Sequence, residues 1–410
     1  MELGGILKAI ALILVSSLYA YFIGGMIPYI VLYLSTALLV VGFLGAKINA
    51  RITAYCYTET MNAQVGSKIK VVLEVKNESR WPVPWVQCWV KMPETFYFSD
   101  NFGCYNFSLS PYEKVRIYEE IECKHRGRFN WGRILLRTGD IFGIFTRSWP
   151  GGEEQVLTVL PQIYDIGEDL GELFGRRYGE VPSSIHPARR GSSFLGVRKY
   201  DVSDGISRIH WKASARSQRL LVKEFQEQKM SEFTIFLNLN EKDYSGKGPD
   251  SSSEKAITLA ASLASIGVRK GHGVGLKVYG QENMFIPVGY GKNHFSLMLK
   301  SLVQAQLGEN SSAAESIGDD ISILSTIGCP FVIAGDVDSD LAAILIRLNS
   351  RGQRTVLMVL AAETYEDNAA DFGDRDWEIT HLRASGVPVL VIEKNTDLRL
   401  VFRGQEYDVS

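Results

Sequence analysis

Between residues 196 and 225 the chain gathers Arg198, Lys199, Arg208, Lys212, Arg216, Arg219 and Lys223 around Trp211, with Asp201, Asp204 and Glu224 as counter-charge. A cluster of this sign binds anions: phosphates, anionic lipid or an acidic partner. Read as a helix, 208–216 sets Arg208, Lys212 and Arg216 four residues apart on one face, where like charges repel unless something anionic lies opposite. Asp201 and Asp204 offer an internal answer. The competing expectation is therefore a buried-tryptophan knot, tied by salt bridges, that joins the modules on either side. Nucleic-acid binding is not expected, because Trp211 alone is no stacking platform.

Two other clusters carry oxygen ligands. Asn238, Asn240 and Glu241 follow one apolar run, and Asp336, Asp338 and Asp340 follow another. Such groups suit Mg²⁺ or Ca²⁺. Asn238, however, offers a neutral amide where a hard cation gains most from carboxylate, and aspartates after a strand are ordinary turn and cap residues. The reading favours turns and caps and no cofactor. Catalytic signatures are missing: His125, His186, His210, His272, His294 and His381 have no metal-ligand spacing, and there is no GxSxG, HExxH or Walker-type loop. Gly271, Gly273 and Gly275 run from a helix into a strand, the reverse of a dinucleotide fingerprint.

The elements that must position these residues follow from composition. The chain has 410 residues, 46 % hydrophobic, with a formal charge of −2, so several domains are expected and any anion-binding role must be local. Cys56, Cys88, Cys104, Cys123 and Cys329 form neither a CxxC pair nor an even framework, which favours a reducing compartment. Residues 9–46 hold no charge. As one helix they would run about 57 Å, nearly twice the hydrocarbon core, and Gly24, Gly25 and Pro28 interrupt them near the middle. Two membrane-crossing arms, about 6–23 and 27–45, are expected within a hairpin spanning 1–50. The second arm argues against a cleaved signal peptide. Lys8, Lys47 and Arg51 flank the arms, so both ends and the soluble chain are expected in the cytoplasm, at the cell's inner (cytoplasmic) membrane.

Residues 51–164 change to short β-rich runs at 68–75, 85–90, 115–121, 133–136 and 156–160. Arg126-Gly127-Arg128 and Thr138-Gly139-Asp140 read as turns, and Trp81, Trp85 and Trp89 as packing residues of the sheet interior or edge. The expected architecture is an antiparallel, immunoglobulin-like β-sandwich. Residues 165–193 lack periodicity and read as an irregular connector, part of a 165–230 segment that also holds the basic stretch. From 231 to 410 apolar runs alternate with helical spacing. Strands are expected at 233–239, 274–279, 284–288, 331–334, 355–360, 388–392 and 398–402. Helices are expected at 253–269, 294–306, 339–349 and 376–385, the first capped by Ser252 or Ser253. This pattern predicts a doubly wound α/β domain.

The segment Tyr200-x-x-x-Asp204-x-x-x-Arg208-Ile209-x-Trp211-Lys212-Ala213-Ser214-Ala215-Arg216 resembles the signature of the family called domain of unknown function fifty-eight. Arg126-Gly127-Arg128-Phe129 and Gly139-Asp140-Ile141-Phe142-Gly143-Ile144-Phe145 are similar to two further runs of that family. Ser203, Gly205 and Ser207 depart from its usual pattern. The resemblance implies two membrane helices, a β-rich domain and a C-terminal domain of von Willebrand factor type A kind. It marks Tyr200, Asp204, Arg208, Trp211, Lys212, Ser214 and Arg216 as signature or interaction residues. The metal-dependent adhesion site of type A domains has DxSxS, where this chain has Asn238, Asn240 and Lys242, so with Asp336 the site is degenerate and metal-dependent ligand binding is not expected. The resemblance also implies a MoxR-type AAA+ ATPase as partner. The expected function is that of a membrane-anchored, cytoplasm-facing, non-catalytic adaptor or assembly protein. The alternative is an enzyme or binding protein acting on cell-envelope or peptide substrates between the two soluble domains.

Overall fold

In the computed structural model the described residues are 3–48, 51–92, 96–97, 103–165, 193–199, 210–217, 220–226, 232–309, 312–318, 329–353, 355–365 and 375–399. The chain divides into two compact units, Met1–Gln162 with Leu299–Gln304, and Ile163–Met298 with Ala305–Ser410.

The first unit begins with helices α1 (Leu3–Ile23) and α2 (Met26–Ile48). Each contains a 20-residue apolar stretch long enough to cross a membrane, Gly4–Ile23 and Met26–Gly45. The turn between them is Gly24-Gly25, with φ of +61° and +88°, a conformation that glycine adopts without steric cost. Pro28 does not interrupt anything. It sits in the first turn of α2, where its missing N–H is an orphan anyway. Ser35 Oγ donates to Ser16 Oγ across the pair at 3.3 Å.

The rest of this unit is β-rich. Its strands are β1 (Ile52–Thr58), β2 (Asn62–Gln64), β3 (Lys68–Asn77), β4 (Val83–Val90), β5 (Phe96–Tyr97), β6 (Cys104–Leu109), β7 (Lys114–Cys123), β8 (Gly127–Trp131), β9 (Ile134–Gly139), β10 (Thr146–Gly151) and β11 (Gln155–Leu160). They pair in three small sheets, β1-β3-β7-β5, β10-β9-β4-β6 and β2-β11-β8. Strand alternation produces the core. Val71, Leu73 and Val75 of β3 point inward to join Val86 and Cys88 of β4, Leu136 of β9 and Leu157 of β11. Both expected turns run into strands: Arg128 pairs with Thr158 and Gly127 with Val159, while Thr138 and Gly139 close β9 opposite Arg147 and Thr146. The pairing with β11 draws Gly127 and Arg128 into β8.

A buried side-chain network fixes the corner before β4. Asn77 Nδ2 donates to the carbonyls of Trp81 (2.8 Å) and Ser110 (3.0 Å), while its Oδ1 accepts from the Ser79 amide and hydroxyl at 2.9 and 2.8 Å. The corner holds Trp81 half exposed. Trp85 and Trp89 are partly buried on β4, and the Trp85 indole donates to the Asp140 carbonyl at 2.8 Å.

The second unit is α/β. A hairpin of β12 (Ser193–Lys199) and β13 (Leu221–Gln226) precedes its main sheet in sequence, with the short helix α3 (Trp211–Ser217) between the strands. Strands β14 (Glu232–Asn238), β15 (Gly273–Tyr279), β16 (Met284–Gly289), β17 (Cys329–Ala334), β18 (Val356–Leu360) and β19 (Val389–Ile392) form one sheet in the order β16-β15-β14-β17-β18-β19. All neighbours are parallel except the β15–β16 edge pair. Between these strands lie α4 (Ser252–Arg269), α5 (Gly291–Gln304), α6 (Ala313–Gly318), α7 (Ser339–Ser350) and α8 (Arg375–Ala384). β17 and β18 are apolar throughout and β14 is buried from Phe233 to Asn238, as expected where both faces are covered. Gly267 lets α4 lie close on the sheet: a Cβ there would stand 2.5 Å from the Phe233 ring. The N-cap of α4 is Ser251, whose hydroxyl accepts the Glu254 amide, one residue before the expected pair. Ser252 instead bonds back to Ser245, its hydroxyl donating to the Ser245 carbonyl and accepting its amide. Leu398 and Arg399 lie in a turn, and the rest of the strand expected there falls outside the described residues, as does most of the 165–193 connector.

Candidate functional site

In the α/β sheet the chain goes from β14 through α4 to β15 on one side, and β17 lies on the other side of β14. That reversal opens a crevice at the carboxyl ends of β14 and β17, where ligands of such sheets bind. Asn238 closes β14, and a single 3-10 turn (Glu241–Asp243) folds Asp243 back over the strand end. The loop after β17 meets it directly: a Cβ on Gly335 would overlap the Asp243 carbonyl.

Asp243 is the centre of the crevice. Asn240 Nδ2 approaches its Oδ1 at 3.3 Å and Asn238 Nδ2 its Oδ2 at 3.5 Å. Burial, reinforced by the negative charge of Asp336, pushes its carboxyl up to about 6. Asn238 and Asn240 are buried, and their Oδ1 atoms find no hydrogen-bond partner among the described residues. Asp336 Oδ1 accepts the Val337 amide at 2.8 Å, and Asp338 Oδ1 caps α7 by accepting the Leu341 amide at 2.8 Å. At the other side of the α4 N-terminus, Lys255 Nζ donates to the carbonyls of Glu393 (2.7 Å), Lys394 (2.7 Å) and Thr396 (2.9 Å), tying down the loop after β19.

A divalent cation does not fit this arrangement. The two asparagines present their NH₂ groups, which repel cations, to the carboxylate. Two of the remaining aspartates are engaged by backbone amides. Among the described residues no three His, Cys, Asp or Glu side chains are grouped where a metal ion would sit. Glu241 and Asp340 are directed to solvent. The strand end is instead a polar cluster in which the Asp243 carboxyl is pushed up to about 6. Asp243 was not among the residues the sequence singled out. Its signal was position: three residues beyond Asn240, where a one-turn helix returns the chain to the strand end.

Residues 196–380 match the family described as "Protein of unknown function DUF58". The chain is also 23 % identical over 352 residues to "Uncharacterized protein YeaD" of Bacillus subtilis (strain 168), an alignment covering 84 % of this chain and 85 % of that one. Among solved structures, a GH20 exo β-N-acetylglucosaminidase from Vibrio harveyi aligns with 76 % of this chain and 57 % of its own at 8 % identity. The TM-score of 0.19 is too low to carry any argument about this protein.

The matched region contains the basic signature. Tyr200, Asp204 and Arg208 lie outside the described residues, as does the side chain of Lys212. The described part is α3, which starts at Trp211, so the helix begins three residues later than a 208–216 helix would. Ser214 is buried and structural. Its hydroxyl accepts the Leu221 amide at 2.9 Å and donates to the His210 carbonyl at 3.1 Å, while the His210 amide bonds the Leu221 carbonyl at 2.8 Å. Those bonds pin α3 to the start of β13. Trp211 is 63 % exposed and Arg216 is exposed. The expected buried-tryptophan knot is thus absent at Trp211, because the small Ser214, not the indole, faces the hairpin.

Proposed function

We propose that the protein is a non-catalytic adaptor or assembly factor, anchored in the cell's inner membrane by α1 and α2 with its soluble units in the cytoplasm. Its partner is a MoxR-type AAA+ ATPase. The observation that carries this reading is Trp211. An indole left 63 % exposed, on a helix pinned by Ser214 that also exposes Arg216, is of a residue type most enriched at the energetic centres of protein interfaces. Among the described residues the strand end gathers the Asp243 carboxyl and two asparagines. The β-rich region is taken as an immunoglobulin-like sandwich and the C-terminal region as a type A-like domain, with its adhesion-site positions given over to Asn238 and Asn240. The choice of ATPase comes from the family resemblance.

Purification of the full chain from detergent extracts of its native host tests this. An AAA+ ATPase among the reproducible partners, lost on Trp211→Ala, is the expected result. Its absence from every reproducible preparation would remove the adaptor reading.

A further inference from the structure

The loop 140–145, Asp140-Ile141-Phe142-Gly143-Ile144-Phe145, connects β9 to β10 and is seated on the two apolar helices. The Ile144 carbonyl lies against Gly5, where a Cβ would overlap it. Phe145 is buried in a cluster with Ala9 of α1 and Leu39 of α2, and its ring meets Phe43 edge to face, with centroids 5.8 Å apart. Asp140 packs on Gly42, where a Cβ would stand 3.2 Å from its Oδ2.

The heights of these contacts are decisive. The apolar stretches Gly4–Ile23 and Met26–Gly45 each have 20 residues, so each is about 30 Å long, the thickness of the hydrocarbon core. Leu39 lies about 9 Å inside the end of its stretch at 1.5 Å per residue, and Ala9 directly follows Lys8, the last charge before the uncharged run, whose long side chain can reach back to the interface. When the helices span a bilayer, a loop packed at that depth cannot remain in water. Its exposed side chains agree: Ile141 is 74 % and Phe142 57 % exposed, and with the half-exposed Trp81 they border an apolar groove whose other wall is Val41, Gly42 and Gly45. Its polar groups agree as well. The Asp140 carboxylate accepts the Phe145 amide at 2.6 Å and the Phe142 amide at 3.1 Å. The Asp140 carbonyl accepts the Gly143 amide at 3.1 Å, and its amide donates to the Phe145 carbonyl at 3.2 Å. Backbone that enters a low-dielectric phase needs such internal satisfaction, and an interfacial tryptophan is at home at the boundary.

We infer that the 140–145 loop is a membrane-inserted wedge: Ile141 and Phe142 enter the acyl-chain region of the bilayer beside α2, with Trp81 at the interface and lipid filling the groove between them. The inference rests on the helices being membrane spans, and its test separates the two. The full chain, with the exposed Cys104 replaced by Ser, is labelled with a nitroxide at Phe142→Cys, Val40→Cys or Met61→Cys and placed in phospholipid bilayers. The remaining cysteines are buried, with the Cys56 and Cys88 thiols pushed up to about 12 by burial, so they do not compete for label. Power saturation then compares collision with oxygen, which concentrates in lipid, and with a water-soluble nickel chelate. Val40 lies on the lipid-facing side of α2, and Met61 lies on the loop before β2, beyond the end of β1 remote from α2. The inference expects oxygen to dominate at 142 as at 40, and nickel at 61. Nickel dominating at 142 while oxygen dominates at 40 would overturn the wedge and leave the spans standing. Nickel dominating at 40 as well would overturn both. Ile141→Cys provides a second label site should Phe142→Cys fail to fold.

Discussion

Replacing Asp243 with Asn should stabilise the α/β unit at neutral pH. The carboxyl is pushed up to about 6 by burial and by Asp336, against 3.8 for an ordinary aspartate. A group whose folded value is raised binds protons more tightly in the native state, so its contribution is greatest below the unfolded value and is lost as pH rises through 6. At pH 7 the native state carries a charge it disfavours. Taken at face value the shift is about 3 kcal/mol at 1.36 kcal/mol per unit. Asp243 is only partly buried, and solvent screening reduces this to about 1–2 kcal/mol. Asparagine keeps the shape, removes the charge, and still accepts from Asn238 or Asn240. Calorimetric melting of the full chain in detergent should show the transition of this unit rising by roughly 2–6 °C at pH 7. The gain should shrink to about half near pH 5, where the wild-type carboxyl is already mostly protonated. An unchanged or lowered transition at pH 7 would refute the reasoning. A gain independent of pH would show that charge is not the cause.

Further outcomes follow from single contacts. Gly5→Leu and Gly42→Leu should dislodge the 140–145 loop, at about 1–3 kcal/mol for overpacking, and limited proteolysis should then cut within 140–145. Asn77→Ala removes the bonds to Trp81, Ser110 and Ser79 and should cost about 2–4 kcal/mol in the β-rich unit, read as a lower denaturant midpoint. Lys255→Met leaves the carbonyls of Glu393, Lys394 and Thr396 without their donor. It should speed amide exchange in 393–397 at least tenfold, with little change in β14.

The sequence made the hairpin legible because two features coincide there: an uncharged run twice the needed length and a Gly24-Gly25 break. The alternation in β3 and the continuous apolar runs of β14 and β17 located those strands to within two residues, since burial on one or both faces is a local pattern. What escaped depends on tertiary placement. Gly127 and Arg128 look like a turn until β11 pairs with them. Ser251 caps α4 because Ser252 is held by Ser245, seven residues away. In the crevice Asn238, Asn240 and Asp336 were visible as strand-end polar residues, whereas Asp243 became its titrating centre only through the turn that folds it back. The environment of Trp211 was not legible either, because burial of an indole depends on which side of a seven-residue helix meets the β12–β13 hairpin.

The proposed function turns on the surface around Trp211. A photo-reactive phenylalanine analogue placed at that position in the full chain, expressed in its native host and irradiated before lysis, reads that surface directly. The account predicts a discrete adduct containing an AAA+ ATPase, absent when the analogue stands at Met61, which is slightly more exposed than Trp211. An intact, membrane-inserted chain that forms no ATPase adduct from position 211 would contradict it.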